Sequence, residues 1–212
     1  SVKDEDLDSN GRVICGMSSA GPFQLTASFD NYYSLLIDGP LDREQISEYQ
    51  VLITASDSGS PPLSTRRTIT VSVADVNDNT PNFPQPQQEL FVAENNGPGA
   101  SLGRVFAQDP DLGKNGLVSY ELLDVISEGP SASSLVAVES SSGAITAKTS
   151  FDFEQLRGFH FQVEGRDGGI PPRSATVTIN LFVVDRNDNY PVILFPLPRN
   201  GSVPVEIVPR SA

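Results

Sequence analysis

The chain has 212 residues, enough for one large or two ordinary domains, and its 27 acidic residues against 14 basic ones leave a formal net charge of −13. That balance argues against binding DNA, RNA or an anionic membrane through a general basic patch, so no nucleic-acid partner is expected. A single cysteine, Cys15, excludes an internal disulfide framework, and the longest apolar run, around 181–184, falls far short of the about 20 residues that a membrane-spanning helix needs.

Gly and Pro supply 17 residues each, a surplus that points to many turns between short elements. In chain order, the pair Asp4-Glu-Asp6 comes first, followed by Asn10-Gly11 and then by Leu41-Asp42-Arg43-Glu44. Tyr49–Ala55 and Thr68–Val73 alternate with period two and are predicted strands, on either side of Asp57-Ser-Gly-Ser-Pro-Pro62. Asp75-Val76-Asn77-Asp78-Asn79 closes this stretch, and 80–84 reads as a linker. After Val92-Ala93-Glu94-Asn95 the same order returns: Asp109-Pro-Asp111 with Asn115-Gly116, then Phe151-Asp152-Phe153-Glu154. The predicted strands Phe159–Val163 and Thr176–Leu181 flank Asp167-Gly-Gly-Ile-Pro-Pro172, and Asp185-Arg186-Asn187-Asp188-Asn189 ends the second copy.

Asp4 and Asp109 are 105 residues apart, whereas Asp42 and Asp152, Asp57 and Asp167, and Asp75 and Asp185 are each separated by 110. The difference predicts a lengthened loop between Asn115 and Asp152, over the Ser-, Gly- and Pro-rich stretch 127–134. No long segment has helical periodicity and caps. Short alternating strands separated by turns, with roughly 100 residues per copy, predict an all-β chain of antiparallel β-sandwiches. The counterpart of Glu94 would precede residue 1, and the next Asp-x-Asp would follow Ala212. The expected organisation is a repeat at 1–79 lacking its N-terminal strand, a complete repeat at 80–189, and at 190–212 a linker with the first strand of another.

Of the 27 acids, 15 lie at these repeated positions, and converging carboxylates need a cation to offset their charge. Oxygen ligands of mixed carboxylate, amide and carbonyl type suit Ca²⁺, with Mg²⁺ ranked second because it prefers a tighter octahedron. One His and one Cys exclude the usual zinc sites. An EF-hand loop from Asp4 would need Gly and Glu where Ser9 and Cys15 stand, so the architecture is a different one. Turn formation alone accounts for any single motif but poorly for four repeated in order. A hydrolase using paired carboxylates is the rival from another class, and the recurrence of the same acids in both copies counts against it.

Together, Leu41-Asp42-Arg43-Glu44, the two Asp-x-Asn-Asp-Asn motifs, the Asp-x-Asp pairs, the Asp-x-Gly-x-Pro motifs and Glu94 resemble extracellular cadherin repeats over essentially the whole chain. The resemblance implies tandem seven-strand Greek-key sandwiches joined by calcium-binding linkers. At the central junction it implies ligation by Asp42, Glu44, Asp75, Asn77 and Asp78 with the Val76 and Asn79 carbonyls, and by Asp109, Asp111 and Asp167 with the Asn115 carbonyl. Asp4, Asp6, Asn10 and Asp57 form a half-site toward a preceding repeat. Glu94, Asp152, Glu154, Asp185, Arg186, Asn187, Asp188 and Asn189 form one toward a following repeat. Phe153 stands where the family has Arg, a change expected to affect packing more than metal.

The tail from Phe195 to Arg210 and the 3–11 segment resemble clustered protocadherins, as most of repeat four, all of repeat five and the start of repeat six, with an alpha-cluster C-type as the expected isoform. The resemblance implies calcium-dependent homophilic recognition between neuronal surfaces, with an identical protocadherin in trans and other clustered protocadherins in cis. It implies no enzymatic activity and no small-molecule substrate. The chain would be extracellular, part of a single-pass plasma-membrane protein anchored elsewhere; a passive calcium-stiffened spacer of another cadherin is the alternative. Asn200-Gly-Ser202 is a glycosylation sequon, and Thr68, Thr70, Thr176 and Thr178 are candidates for O-mannose. His160 is expected to face solvent on a strand, and Cys15 to be a shielded free thiol.

Overall fold

The structure, a computed structural model, describes residues 1–8, 10–29, 31–123 and 131–192. The first unit contains β1 (Ile14–Ser18), β2 (Phe23–Phe29), β3 (Tyr32–Ile37), β4 (Glu48–Ser56) and β5 (Ser64–Ser72). The second contains β6 (Gln87–Ala93), β7 (Ser101–Arg104), β8 (Ser119–Leu123), a single helical turn α1 (Ala132–Leu135), β9 (Val136–Val138), β10 (Ala144–Ala147), β11 (Gly158–Arg166) and β12 (Ser174–Val184). The four strands read from sequence alternation all form, each extending past at least one of its expected ends.

In the second unit a sheet ordered β6-β12-β11-β8 packs on one ordered β7-β10-β9. Period-two alternation puts every second residue of β11 and β12 inside. Phe161 lies opposite Ile179 and Val163 opposite Val177, and none of these four is more than 3% exposed. Leu102, Val136, Ile145 and Ala147 close the core from the other sheet. Burying such side chains contributes roughly 1.5–3 kcal/mol each for the larger ones. The expected antiparallel pairing has one exception: β6 runs parallel to β12, from Gln87 opposite Thr178 to Ala93 opposite Val184. The first and last strands of this sandwich run in the same direction, so their side-by-side pairing has to be parallel.

The first unit has a sheet ordered β1-β4-β5 and a β2-β3 hairpin. Val51 pairs with Ile69 as Phe161 pairs with Ile179, yet Ile69 is 40% exposed and Ile179 fully buried. Among the described residues nothing corresponds to β6 alongside β5 or to β7 alongside β3. One buried cluster here is formed by Phe23, Tyr49 and Val51, with the Phe23 and Tyr49 rings edge to face at 5.2 Å.

The expected loop at 127–134 falls partly in 124–130, outside the described residues, and its end is the α1 turn rather than irregular chain. The Ser134 hydroxyl donates to the Ser131 carbonyl at 2.6 Å, a local bond that holds the turn in place of the strand conformation found at β2. His160 is exposed on β11 opposite Asn180. Cys15 is half-buried on β1 with its N–H donating to the Tyr33 hydroxyl at 3.2 Å, and burial pushes its thiol pKa up. Asn200 and the 195–210 tail lie outside the described residues. Of two equivalent isoleucines, Ile179→Ala is expected to destabilise the second unit by about 2–5 kcal/mol and Ile69→Ala to cost far less, as urea unfolding followed by circular dichroism would show.

Candidate metal centre

The strands end where the acids begin. Asp75–Asn79 leave the end of β5, and Asp42 and Glu44 lie in the β3–β4 connection of the first unit. From the second unit, Asp109, Asp111 and Asn115 come from the β7–β8 connection, and Asp167 directly follows β11. Both sets meet at the linker. Asn-Gly after each Asp-x-Asp has a steric origin: a Cβ on Gly116 would lie 2.0 Å from the Asp111 carbonyl oxygen, and one on Gly11 2.2 Å from that of Asp6.

Two aspartates of the second unit's set divide their carboxylates between two tasks. Asp109 Oδ1 accepts the Asp111 N–H at 3.0 Å, and Asp167 Oδ1 accepts the N–H groups of Gly169 and Arg173, each at 3.0 Å. The other oxygens, Asp109 Oδ2 and Asp167 Oδ2, are buried with no hydrogen-bond partner, as is Asn77 Oδ1 from the first unit. Buried acceptors left unpaired are costly, and each of these three is an oxygen of the type that ligates a hard cation. Glu44, Asp78 and Asp111 place one carboxylate oxygen each within 4.8 Å of one another. Oxygens sharing an ion at about 2.4 Å are separated by no more than about 4.8 Å, so this spacing fits a hard divalent cation.

Hydrogen bonds also cross the junction. Asp75 accepts the Leu112 N–H at 3.0 Å and the Asn115 amide at 2.9 Å, while Asn79 donates its side-chain amide to Asp111 at 2.7 Å and its N–H at 3.2 Å. Asn77 donates to the Pro171 carbonyl at 2.7 Å, and Arg173 Nε donates to the Asn77 carbonyl at 3.0 Å. Burial pushes the Asp109 carboxyl above its ordinary pKa, and the charges of Asp111, Asp167 and Asp75 push it further, against the Asp111 N–H. Burial acts in the same sense on Asp75, but the Leu112 N–H, Asn115 and Arg43 outweigh it and hold that group low.

The outer groups repeat the pattern. Asp6 N–H donates to Asp4 Oδ1 at 2.9 Å, Asp57 Oδ1 accepts from Gly59 and Leu63 at 3.0 Å each, and Asp4, Asp6 and Asp57 line one hollow. Asn10 Oδ1 and Asp57 Oδ1 both flank Gly59. At the far end Glu94, Glu154 and Asp185 converge within 4.8 Å. Glu94 is 1% exposed and accepts the N–H groups of Arg186 at 2.6 Å and Phe153 at 2.9 Å, bonds that hold its carboxyl low despite burial. Asn189 donates to Glu154 at 2.8 Å, Asp152 accepts from Gln155 at 2.6 Å, and Asn187 lies between Arg186 and Asp188 in the same segment.

Several expected ligands take other contacts: Asn79 and Asn115 use their side chains across the junction, and the Val76 carbonyl accepts the Asp78 N–H at 2.8 Å. Sequence reasoning missed Arg173, which follows the Pro-Pro pair where Leu63 follows it in the first copy and so lies outside the repeated motif. It also missed Asn95, whose amide meets Asp188 Oδ2 at 2.5 Å and whose neighbour Glu94 was the visible signal.

A cadherin domain model matches residues 1–74 and 88–184. Protocadherin alpha-C1 of Pan troglodytes is 99% identical over 212 residues, all of this chain and 22% of that protein. Human protocadherin gamma-A12 is 48% identical over the whole chain, which spans 23% of it. Among solved structures, the protocadherin gammaB4 extracellular domain superposes with a TM-score of 0.87 at 45% identity, covering 93% of this chain and 32% of that one. The protocadherin gammaB7 EC3-6 cis-dimer structure gives 0.87 at 46% identity, covering 93% of this chain and 48% of that one. The chain therefore belongs to the cadherin family, a non-enzymatic one, and consists of all-β cadherin repeats of the clustered protocadherin type.

Proposed function

We propose that the junction binds Ca²⁺ and thereby fixes the two repeats relative to each other. The ligands would be Asp42, Glu44, Asp75, Asn77, Asp78, Asp109, Asp111 and Asp167, with carbonyls from Val76, Asn79 and Asn115. What carries this is the set of buried, unpartnered oxygens of Asn77, Asp109 and Asp167, contributed from both sides of one linker. When bound, the ion would supply the positive charge and the shared coordination that this oxygen set lacks. Asp109 and Asp167 are already held by one oxygen each, so their free oxygens are pre-aimed and little side-chain entropy is lost on binding. The outer groups would be half-sites, Asp4, Asp6, Asn10 and Asp57 toward a preceding repeat and Glu94, Asp152, Glu154, Asp185, Asn187 and Asp188 toward a following one, with carbonyls of Arg186 and Asn189.

As part of an extracellular region, the stiffened rod would serve homophilic recognition, with the identical protein in trans on an opposing neuronal cell and related protocadherins in cis. Support for the cis role comes from the relative solved as a cis dimer, which matches 93% of this chain. The parent would be a single-pass plasma-membrane protein.

Calcium at about 100 times its Kd is expected to add about 2.7 kcal/mol of stability over chelator, seen as a higher Tm, with magnesium adding little. Asp78→Ala and Asp111→Ala should each remove the gain attributable to the central junction. A calcium-indifferent melt in the unaltered chain would count against the whole scheme. In the full ectodomain, aggregation of coated beads is expected to require calcium and to fail for Asp78→Ala; a variant that aggregates normally would separate stiffening from adhesion.

A further inference from the structure

The Arg43 side chain is only 10% exposed and lies among the acids rather than in solvent. Its Nη2 contacts Glu44 Oε1 and donates to the Pro110 carbonyl at 2.8 Å, and its Nε is 2.5 Å from Asp75 Oδ1. One guanidinium thus meets two carboxylates of the first repeat and the backbone of the second. Asp75 in turn accepts from Leu112 and Asn115 across the junction, and Glu44 belongs to the cluster with Asp78 and Asp111. Arginine stays charged at any accessible pH, so it can leave such a site only by moving.

The second repeat is a natural control. Phe153 takes the equivalent position and packs against the hydrophobic core, and the nearby Arg157 guanidinium lies over its ring at 5.3 Å. Among the described residues no lysine or arginine ion-pairs with Glu94, Glu154 or Asp185. The two sets share the Asp-x-Asn-Asp-Asn segment and the acids of Asp42/Glu44 and Asp152/Glu154, while the central one has no counterpart of Glu94 among the described residues and has a cation of its own in Arg43.

We propose that Arg43 is a built-in counter-ion of the central junction, which latches the two repeats together without metal and competes with calcium for the same carboxylates. Such a role presupposes the calcium junction described above. It sets affinity: the ion must displace a tethered positive charge from Asp75 and Glu44, whereas on the Phe153 side no lysine or arginine among the described residues pairs with the acids. It also sets the metal-free state, in which Arg43 bridges the first repeat's acids to Pro110.

Calorimetric calcium titration of Arg43→Gln against the unaltered chain, with Asp78→Ala as the baseline for the outer groups, tests the competition. Arg43→Gln is expected to bind calcium about threefold to tenfold more tightly at low ionic strength, with the gap narrowing in high salt. In chelator, hydrogen exchange over 75–82 should be faster in Arg43→Gln, because one cross-junction contact is lost. Arg43→Lys keeps the charge and is expected to retain the unaltered chain's affinity within about twofold. Weaker calcium binding by Arg43→Gln would overturn the competition and make Arg43 a support for the ligands. Unchanged exchange in chelator would overturn the latch. Absence of calcium binding by the unaltered chain would instead refute the calcium junction itself, with the chelator comparison still judging the latch.

Discussion

Like charge brought to one place is the constraint on which the rest of the molecule depends. Strand ends in a sandwich cluster at its poles, so residues just outside β5, β7 and β11 meet whether or not their charges agree. Here they are carboxylates from two repeats. The cost is partly met by backbone N–H groups, which tie one oxygen of Asp109 and Asp167, and by amides such as Asn79 and Asn115. Those donors do not reach the remaining oxygens of Asp109, Asp167 and Asn77. The cores of the sandwiches hold these loops in place but do nothing about the charge.

Much of this was legible in the sequence because the motifs recur. Asp57 and Asp167, 110 residues apart, hold the same two backbone N–H groups in the same way, and repetition let each copy vouch for the other. Strand alternation located β4, β5, β11 and β12 for the same reason that their inner residues are apolar. Burial was less legible. Ile69 and Ile179 share a position and a pattern, yet what covers them is set by strands distant in sequence. Contacts outside the repeat were less legible: Arg43 against Phe153 is visible in the sequence but reads there as a packing change, and Arg173 against Leu63 breaks the symmetry and so received no role.

The arginine–phenylalanine difference also bears on how similar two junctions of one rod need to be. Shared acid motifs do not make identical sites when one side contains a cation among its carboxylates and the other an aromatic ring packed on the core. Sequence motifs that count ligands treat the two as equal. The geometry ranks them.

The segment 75–79 is gripped by two loops of the second repeat at once, through Asp75 on Leu112 and Asn115, and through Asn77 on Pro171 with Arg173 returning to the Asn77 carbonyl. Attachment at separate points around one connecting segment resists torsion as well as bending. The compass bearing of every side face on one repeat is therefore inherited by the next, and a small rotational error at one joint would be multiplied along the series. A surface several joints away could be turned out of register without any of its own residues changing.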